Sequence, residues 1–213
     1  MKLVIGDKNE SSWSMRPWLV LRHFGIAFEE TLIRLGQPGT TATILEHSPT
    51  GKVPCLMMDS GDAVWESLAI METLAELFPE HAMWPREPAA RRYARSISAE
   101  MHGGFAPLRQ NMPMEIGTRA PGRGATPAAL ADVKRIDAIW SDCLRRHGGP
   151  FLFGEFGIAD AMFAPVVMRF NSYAPALSDV ARAYAGRVTA LPAVQAWMEG
   201  AHGEANRTSE SGR

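Results

Sequence analysis

Three short runs in the first third of the chain carry side chains that could hold an anion or tune a thiol. Ser11-Ser12-Trp13-Ser14 places three hydroxyls just ahead of a helical segment. The exposed N–H groups and the dipole of a helix N-terminus favour negative charge at such a place. The same serines would equally serve as plain caps, with Ser14 capping a helix over 15–24. Lys52-Val53-Pro54 sets a proline at the mouth of a short apolar run. Proline there marks either an ordinary edge-strand entry or a cis peptide in a tight turn. The cis form would leave the Val53 N–H and C=O free to pair with an extended peptide. Glu66-Ser67 opens a further helical segment. Ser67 can cap that helix or offer its hydroxyl and N–H to a ligand carboxylate, while Glu66 could accept from a ligand ammonium.

All three runs fall at joints between elements. Residues 2–6 (KLVIG) form an apolar run closed by glycine, the pattern of a buried strand. Pro17, Val20, Leu21 and Phe24 recur at i, i+3, i+4 and i+7, which predicts a helix with one core face; Pro17 is tolerable in its first turn, and Gly25 stops it. Thr31, Ile33 and Leu35 alternate as a second strand before the break at 36–39. Residues 53–58 and 63–65 flank Asp-Ser-Gly-Asp as a hairpin, and a helix with Ile70, Met71, Leu74, Leu77 and Phe78 on its period ends at Pro79. The order is β-α-β, an irregular or helical link, then β-β-α, which packs most simply as a small mixed sheet with helices on its faces. Beyond Pro88 only helices are predicted: 89–101; one capped by Thr126-Pro127 with Val133, Ile136, Trp140, Cys143 and Leu144 as its stripe; and a central one over 158–168, apolar nearly all round. Two more start at Ser178 and at Leu191-Pro192. Residues 81–88 (HAMWPREP) read as the linker, and the polar residues 203–213 as a flexible tail.

Composition removes whole classes of function. With 22 Lys and Arg against 23 Asp and Glu, the net charge is -1, which disfavours a nucleic-acid partner. The two cysteines, Cys55 and Cys143, exclude a disulfide scaffold and Cys-rich metal sites, and both read as buried small residues in a reducing compartment. The six histidines show no H-E-x-x-H pairing, so no metal is expected. P-loop and G-x-S-x-G motifs are missing. No apolar run approaches the ~20 residues of a membrane span, and the N-terminus lacks a signal-peptide core. The expectation is a soluble, cytoplasmic, globular protein with no membrane partner.

The order and spacing of these features resemble the glutathione transferase family. A β-α-β then β-β-α domain carries a helix-start serine, a Val-Pro strand entry and Glu-Ser before its last helix, and GEFGIADAMFAP (154–165) is similar to the family's helical-domain stretch. The likeness runs from residue 1 to about 200. SSWSMRPWLVL looks closest to the Ser-type classes, and GGFAPLRQNM (103–112) is similar to a zeta-class helix. The resemblance implies a thioredoxin-like α/β domain over 1–80 followed by an all-α helical bundle over 88–202. It implies a homodimer with glutathione as co-substrate, conjugating the glutathione thiolate to a small electrophile. By position it makes Ser11 the catalytic hydroxyl with Ser12 second, and puts Trp13 beside them. Lys52 falls to the glycyl carboxylate, Val53 and Pro54 to the cysteinyl backbone, and Glu66 and Ser67 to the γ-glutamyl group. Met101, His102, Phe105 and Met112 become lining of the second-substrate pocket, although side chains at such spacing also make plain core. Trp13 stands where zeta members carry an active-site cysteine, and Gly157 where a Ser or Thr usually caps the core helix. A free thiol titrates near ~8.5, so a serine donor and a helix N-terminus would be needed to favour the thiolate. Two other readings keep the same site: a glutathione-dependent cis-trans isomerase of the maleylacetoacetate type, and a non-catalytic glutathione-binding or interaction module.

Overall fold

A computed structural model describes the backbone of residues 1–210 and the side chains of residues 1–204. The first strand, β1 (Lys2–Gly6), lies inside a four-stranded sheet, which is why it reads as an unbroken apolar run. It pairs in parallel with β2 (Glu29–Ile33) and antiparallel with β3 (Cys55–Met57), which pairs antiparallel with β4 (Ala63–Trp65). The spatial order is β2-β1-β3-β4. Alternate residues serve opposite faces. Leu3, Ile5 and Leu56 join the main core under α1 (Ser12–His23) and α3 (Ser67–Leu77), while Val4, Ile33 and Cys55 meet Ile44 of the short α2 (Thr40–Leu45) on the other face. The mixed sheet expected from the element order is present, and the link after β2 is helical.

The first helix departs from its expected start. It begins at Ser12, so Ser14 lies within it and Pro17 falls in its second turn. Proline has no N–H for the Trp13 carbonyl one turn back. The early start is set by the loop: the Ser11 N–H bonds the Asp7 carbonyl at 2.8 Å, which folds the chain into helical register before Ser14.

After residues 81–87, the helices α4 (Pro88–Gly103), α5 (Ala106–Asn111), α6 (Pro127–His147), α7 (Ile158–Tyr173), α8 (Asp179–Thr189) and α9 (Pro192–Glu210) form the second half. Thr126 and Ser178 cap α6 and α8 as their sequence positions require, accepting from the Ala129 and Ala181 N–H groups, each at 3.2 Å. Every residue of α7 except Asn171 is buried, in keeping with its all-round apolar sequence. Its N-terminus is held by Asp160, whose carboxylate accepts from Gly157 N, Leu152 N and the Tyr184 hydroxyl at 3.0, 3.1 and 2.9 Å. Gly157 has no side chain to cap with, and Asp160 performs that task.

The two halves are closely joined. α1 packs on α7, with Arg16 Nε donating to the Met162 carbonyl at 3.2 Å. Glu72 receives both Arg95 and the Trp84 indole N–H. Residues 203–210, expected to be a loose tail, continue α9 instead, and residues 211–213 lie outside the described ones. Glu204, 3% exposed, accepts the Lys8 N–H at 2.8 Å, which draws the polar end of the helix onto the first half. Among the described residues no helix is long and apolar enough to cross a membrane.

Candidate active site

The turn between β1 and α1 sets the first group of side chains. Ser11 is the N-cap residue, yet its hydroxyl makes no capping bond; it donates to Ser14 Oγ at 2.7 Å. Ser14 Oγ also accepts from the Gly6 N–H at 3.2 Å. Ser14 is therefore a pin between the end of β1 and the first turn of α1, not the expected helix cap. Ser12 Oγ accepts from Arg169 Nη2 at 3.4 Å. A hydroxyl has one proton to give. Ser11 has given its proton to Ser14, whereas Ser12, acting as acceptor, keeps its own. Both serines are 6% exposed.

The other two runs arrive from the sheet edge and the start of α3. The Val53–Pro54 peptide is cis, as the strand-entry position anticipated. Glu66 sits at φ 67°, a left-handed conformation that a residue with a side chain rarely adopts, and such strain clusters at ligand sites. Ser67 is fully buried, and its Oγ accepts from Arg16 Nη1 at 3.4 Å. Trp13, Lys52, Val53, Pro54, Glu66 and Ser67 come together with Thr50 around one cleft of about 180 Å³. Ser11 and Ser12 do not line it; they occupy the turn that leads into Trp13. Thr50 carried no signal of its own in the sequence.

Trp13 is the hub of the corner. The guanidiniums of Arg16 and Arg109 lie over its ring, 4.4 and 4.7 Å from the centroid, and the His102 ring meets it edge-on at 5.1 Å. His102 Nε2 lies 3.5 Å from Glu66 Oε2, and its Nδ1 is buried without a partner among the described residues. Burial first, then Arg16, lowers the His102 pKa, with Glu66 opposing, so the imidazole is neutral at neutral pH. Of the four residues assigned to a second-substrate pocket, His102 meets Trp13 and Glu66 of the cleft. Met101, Phe105 and Met112 are buried in the hydrophobic core, Met101 near the end of α4 and Phe105 and Met112 at the two ends of α5.

Arg109 also closes the end of α4, donating through Nε to the Gly104 carbonyl at 3.0 Å and through Nη2 to the Met101 carbonyl. With Arg16 and Arg169 it makes a group of three guanidiniums whose fields act on one another. Burial, then Arg109 and Arg169, holds the Arg16 pKa well below its ordinary value. Burial, then Arg109, presses Arg169 down to about 9, which still leaves it charged at neutral pH. The sequence reading missed all three arginines. A signal existed for Arg169, a cation directly after the nearly all-apolar stretch 158–168, and for Arg16, which precedes the core-facing run of α1.

Comparison with known proteins finds relatives over most of the chain. Residues 10–77 match the family described as "Glutathione S-transferase, N-terminal domain", and residues 123–200 match "Glutathione S-transferase, C-terminal domain". The chain is 29% identical over 177 residues to the maleylacetoacetate isomerase of Rattus norvegicus, covering 80% of this chain and 78% of that one. It is 25% identical over 169 residues to glutathione S-transferase GstB of Escherichia coli K12, covering 78% and 81%. Among solved structures, a glutathione transferase homolog from Burkholderia, crystallised with bound glutathione, superposes with a TM-score of 0.71 at 26% identity, covering 94% of this chain and 97% of that one.

Proposed function

Since the chain belongs to the glutathione S-transferase family, we propose that it binds glutathione in the Trp13–Lys52–Ser67 cleft and adds its thiolate to a small electrophile. The observation that carries this reading is the convergence of three sequence-distant runs on that one cleft. Lys52 is a cation for the glycyl carboxylate. The Val53 backbone can pair with the cysteinyl residue, and Glu66 and Ser67 meet the ammonium and carboxylate of the γ-glutamyl group. The sulfur then falls toward the 11–13 turn. There Ser12 is the better donor to a thiolate, because its proton is uncommitted while that of Ser11 goes to Ser14. A donor to the charged form, together with nearby positive charge, lowers the thiol pKa and leaves a nucleophile at neutral pH. The protein's task is to position one reactant and shift one proton equilibrium.

The guanidiniums around Trp13 favour an electrophile that itself carries a carboxylate. The relatives named as maleylacetoacetate isomerase support a second reading, in which the thiolate adds, the adduct rotates, and glutathione leaves unchanged. The two differ in stoichiometry. Conjugation consumes glutathione one for one, isomerisation does not, and following both with an unsaturated dicarboxylic acid separates them. Calorimetry tests the shared premise: no heat at millimolar glutathione and neutral pH would overturn it. In the same reading the active form is a homodimer, with Trp65 of β4 and Leu77 of α3, 43% and 46% exposed, as its apolar contact.

A further inference from the structure

Arg169 has a placement that the glutathione contacts do not explain. It lies in α7 at 4% exposure, and among the described residues it forms no ion pair with a carboxylate. Nη1 donates to the Pro165 carbonyl of its own helix at 3.1 Å. Nη2 crosses to the first half of the molecule and donates to Ser12 Oγ at 3.4 Å. Nε is buried without a partner among the described residues. A dry guanidinium without a counter-charge is costly to keep, and an anion nearby would relieve that cost. Pinning Ser12 as an acceptor has a second effect. It turns the remaining hydroxyl proton away from the arginine, and a hydroxyl that accepts from a cation is a stronger donor.

We infer that Arg169 is a positioning residue for the glutathione thiolate, aiming the Ser12 proton at the sulfur and placing positive charge behind it. The inference rests on the reading that the sulfur lies at the 11–13 turn. No covalent bond changes at Arg169. The thiol releases its proton to solvent water on binding, and the guanidinium stays protonated throughout. The other charged and titratable groups of the corner are Arg16 of α1 and Arg109 of α5, both positive, Tyr173 of α7, which favours the charged arginine, Glu66 and His102 facing each other beside Trp13, and Asp132 opposite Arg109. Among these groups Glu66 and Asp132 are negative; Asp7 and Glu10, earlier in the β1–α1 turn, are acidic as well, with Asp7 paired to Arg34 at 3.1 Å.

The test is the pH titration of the ultraviolet thiolate band of glutathione bound to the full chain. Arg169→Gln should raise the thiol pKa by about one unit, a tenfold loss of thiolate at a pH below both values, with little change in glutathione affinity. Arg169→Met, which fills the space without a buried charge, should do the same and serves if the Gln variant does not fold. Arg169→Lys should restore part of the shift. Combining Arg169→Gln with Ser12→Ala should add less than the sum of the two single effects, because one acts partly through the other. An unshifted pKa in folded, glutathione-bound Arg169→Gln or Arg169→Met overturns the inference, as does full additivity with Ser12→Ala or a lysine that restores nothing. A wild-type chain that does not bind glutathione, or binds it with an ordinary thiol pKa, overturns the underlying reading instead.

Discussion

Ser11 and Ser12 differ by one position and by what has been done with their protons. Hydrogen bonds to a charged partner contribute roughly 1.5–3 kcal/mol, and each 1.36 kcal/mol is one pKa unit. Ser12→Ala should therefore raise the bound thiol's pKa by about 1–2 units, while Ser11→Ala leaves it near the wild-type value and loosens the Ser14 pin instead. Thiolate absorbance against pH distinguishes the two, and the reverse pattern would return the role to Ser11. Glu66 offers a second residue-scale prediction. As the acceptor for the ligand ammonium, its loss in Glu66→Ala should weaken glutathione binding roughly 10–100-fold, by the same range. Calorimetry reads this directly, and an unchanged affinity would remove Glu66 from the site.

Among the elements, α7 depends most on a single side chain. Asp160 is fully buried and accepts from the Leu152 and Gly157 N–H groups and from the Tyr184 hydroxyl of α8. Asp160→Asn replaces one acceptor oxygen with an amide that can only donate, which should cost about 1–3 kcal/mol in urea unfolding. Burial is the main cause that raises the Asp160 pKa to about 6, against the opposing bonds from Leu152, Gly157 and Tyr184. The folded value lies above the unfolded value of about 3.9. The group's contribution is therefore fully present below about pH 4 and is lost as pH rises through about 6. Unfolding free energies measured from pH 4 to 7 should show that downward component in the wild type and lack it in the Asn variant. The element boundaries themselves were legible wherever a cap had a chemical signature, as at Thr126 and Ser178. They were misread at α1, where the start is set by a backbone bond from Ser11 to Asp7 and leaves no mark on residue type.

The whole molecule is held together by contacts that tie its two halves into one body. Trp197 of α9 is fully buried, stacks edge-on with Trp18 at 5.1 Å, and donates to the Lys8 carbonyl at 2.8 Å. Truncating a buried Trp to Ala typically costs about 3–5 kcal/mol. Trp197→Ala should lower the unfolding free energy measured in urea by that amount and loosen the β1–α1 loop, so glutathione affinity should fall with it. A variant that loses stability yet binds glutathione as before would mean that α9 does not support the site. For the assembly, light scattering at micromolar concentration should give about twice the chain mass of 23.3 kDa. A single-chain mass would overturn the homodimer.

Residue type and period along the chain were enough for the architecture: the strand–helix order of the first half, the helical second half, the buried all-round helix and the three runs at element joints. Those are local or nearly local properties, since a strand's apolar run, a helix's stripe and a cap each declare themselves within a few residues. The partners of the cleft's side chains could not be read in this way. Arg169 is 157 residues from the Ser12 hydroxyl it holds, and Arg16 is 51 from Ser67. Trp13 meets Arg109 and His102 only because α1 packs against the second half. Likewise Met101, Phe105 and Met112 look the same in sequence whether a helix turns them to a pocket or to the core, and the packing of α4 and α5 chose the core. Identity along the chain sets which chemistry a residue can do, but burial, direction and the neighbour across the interface decide which of two adjacent hydroxyls has a proton to give.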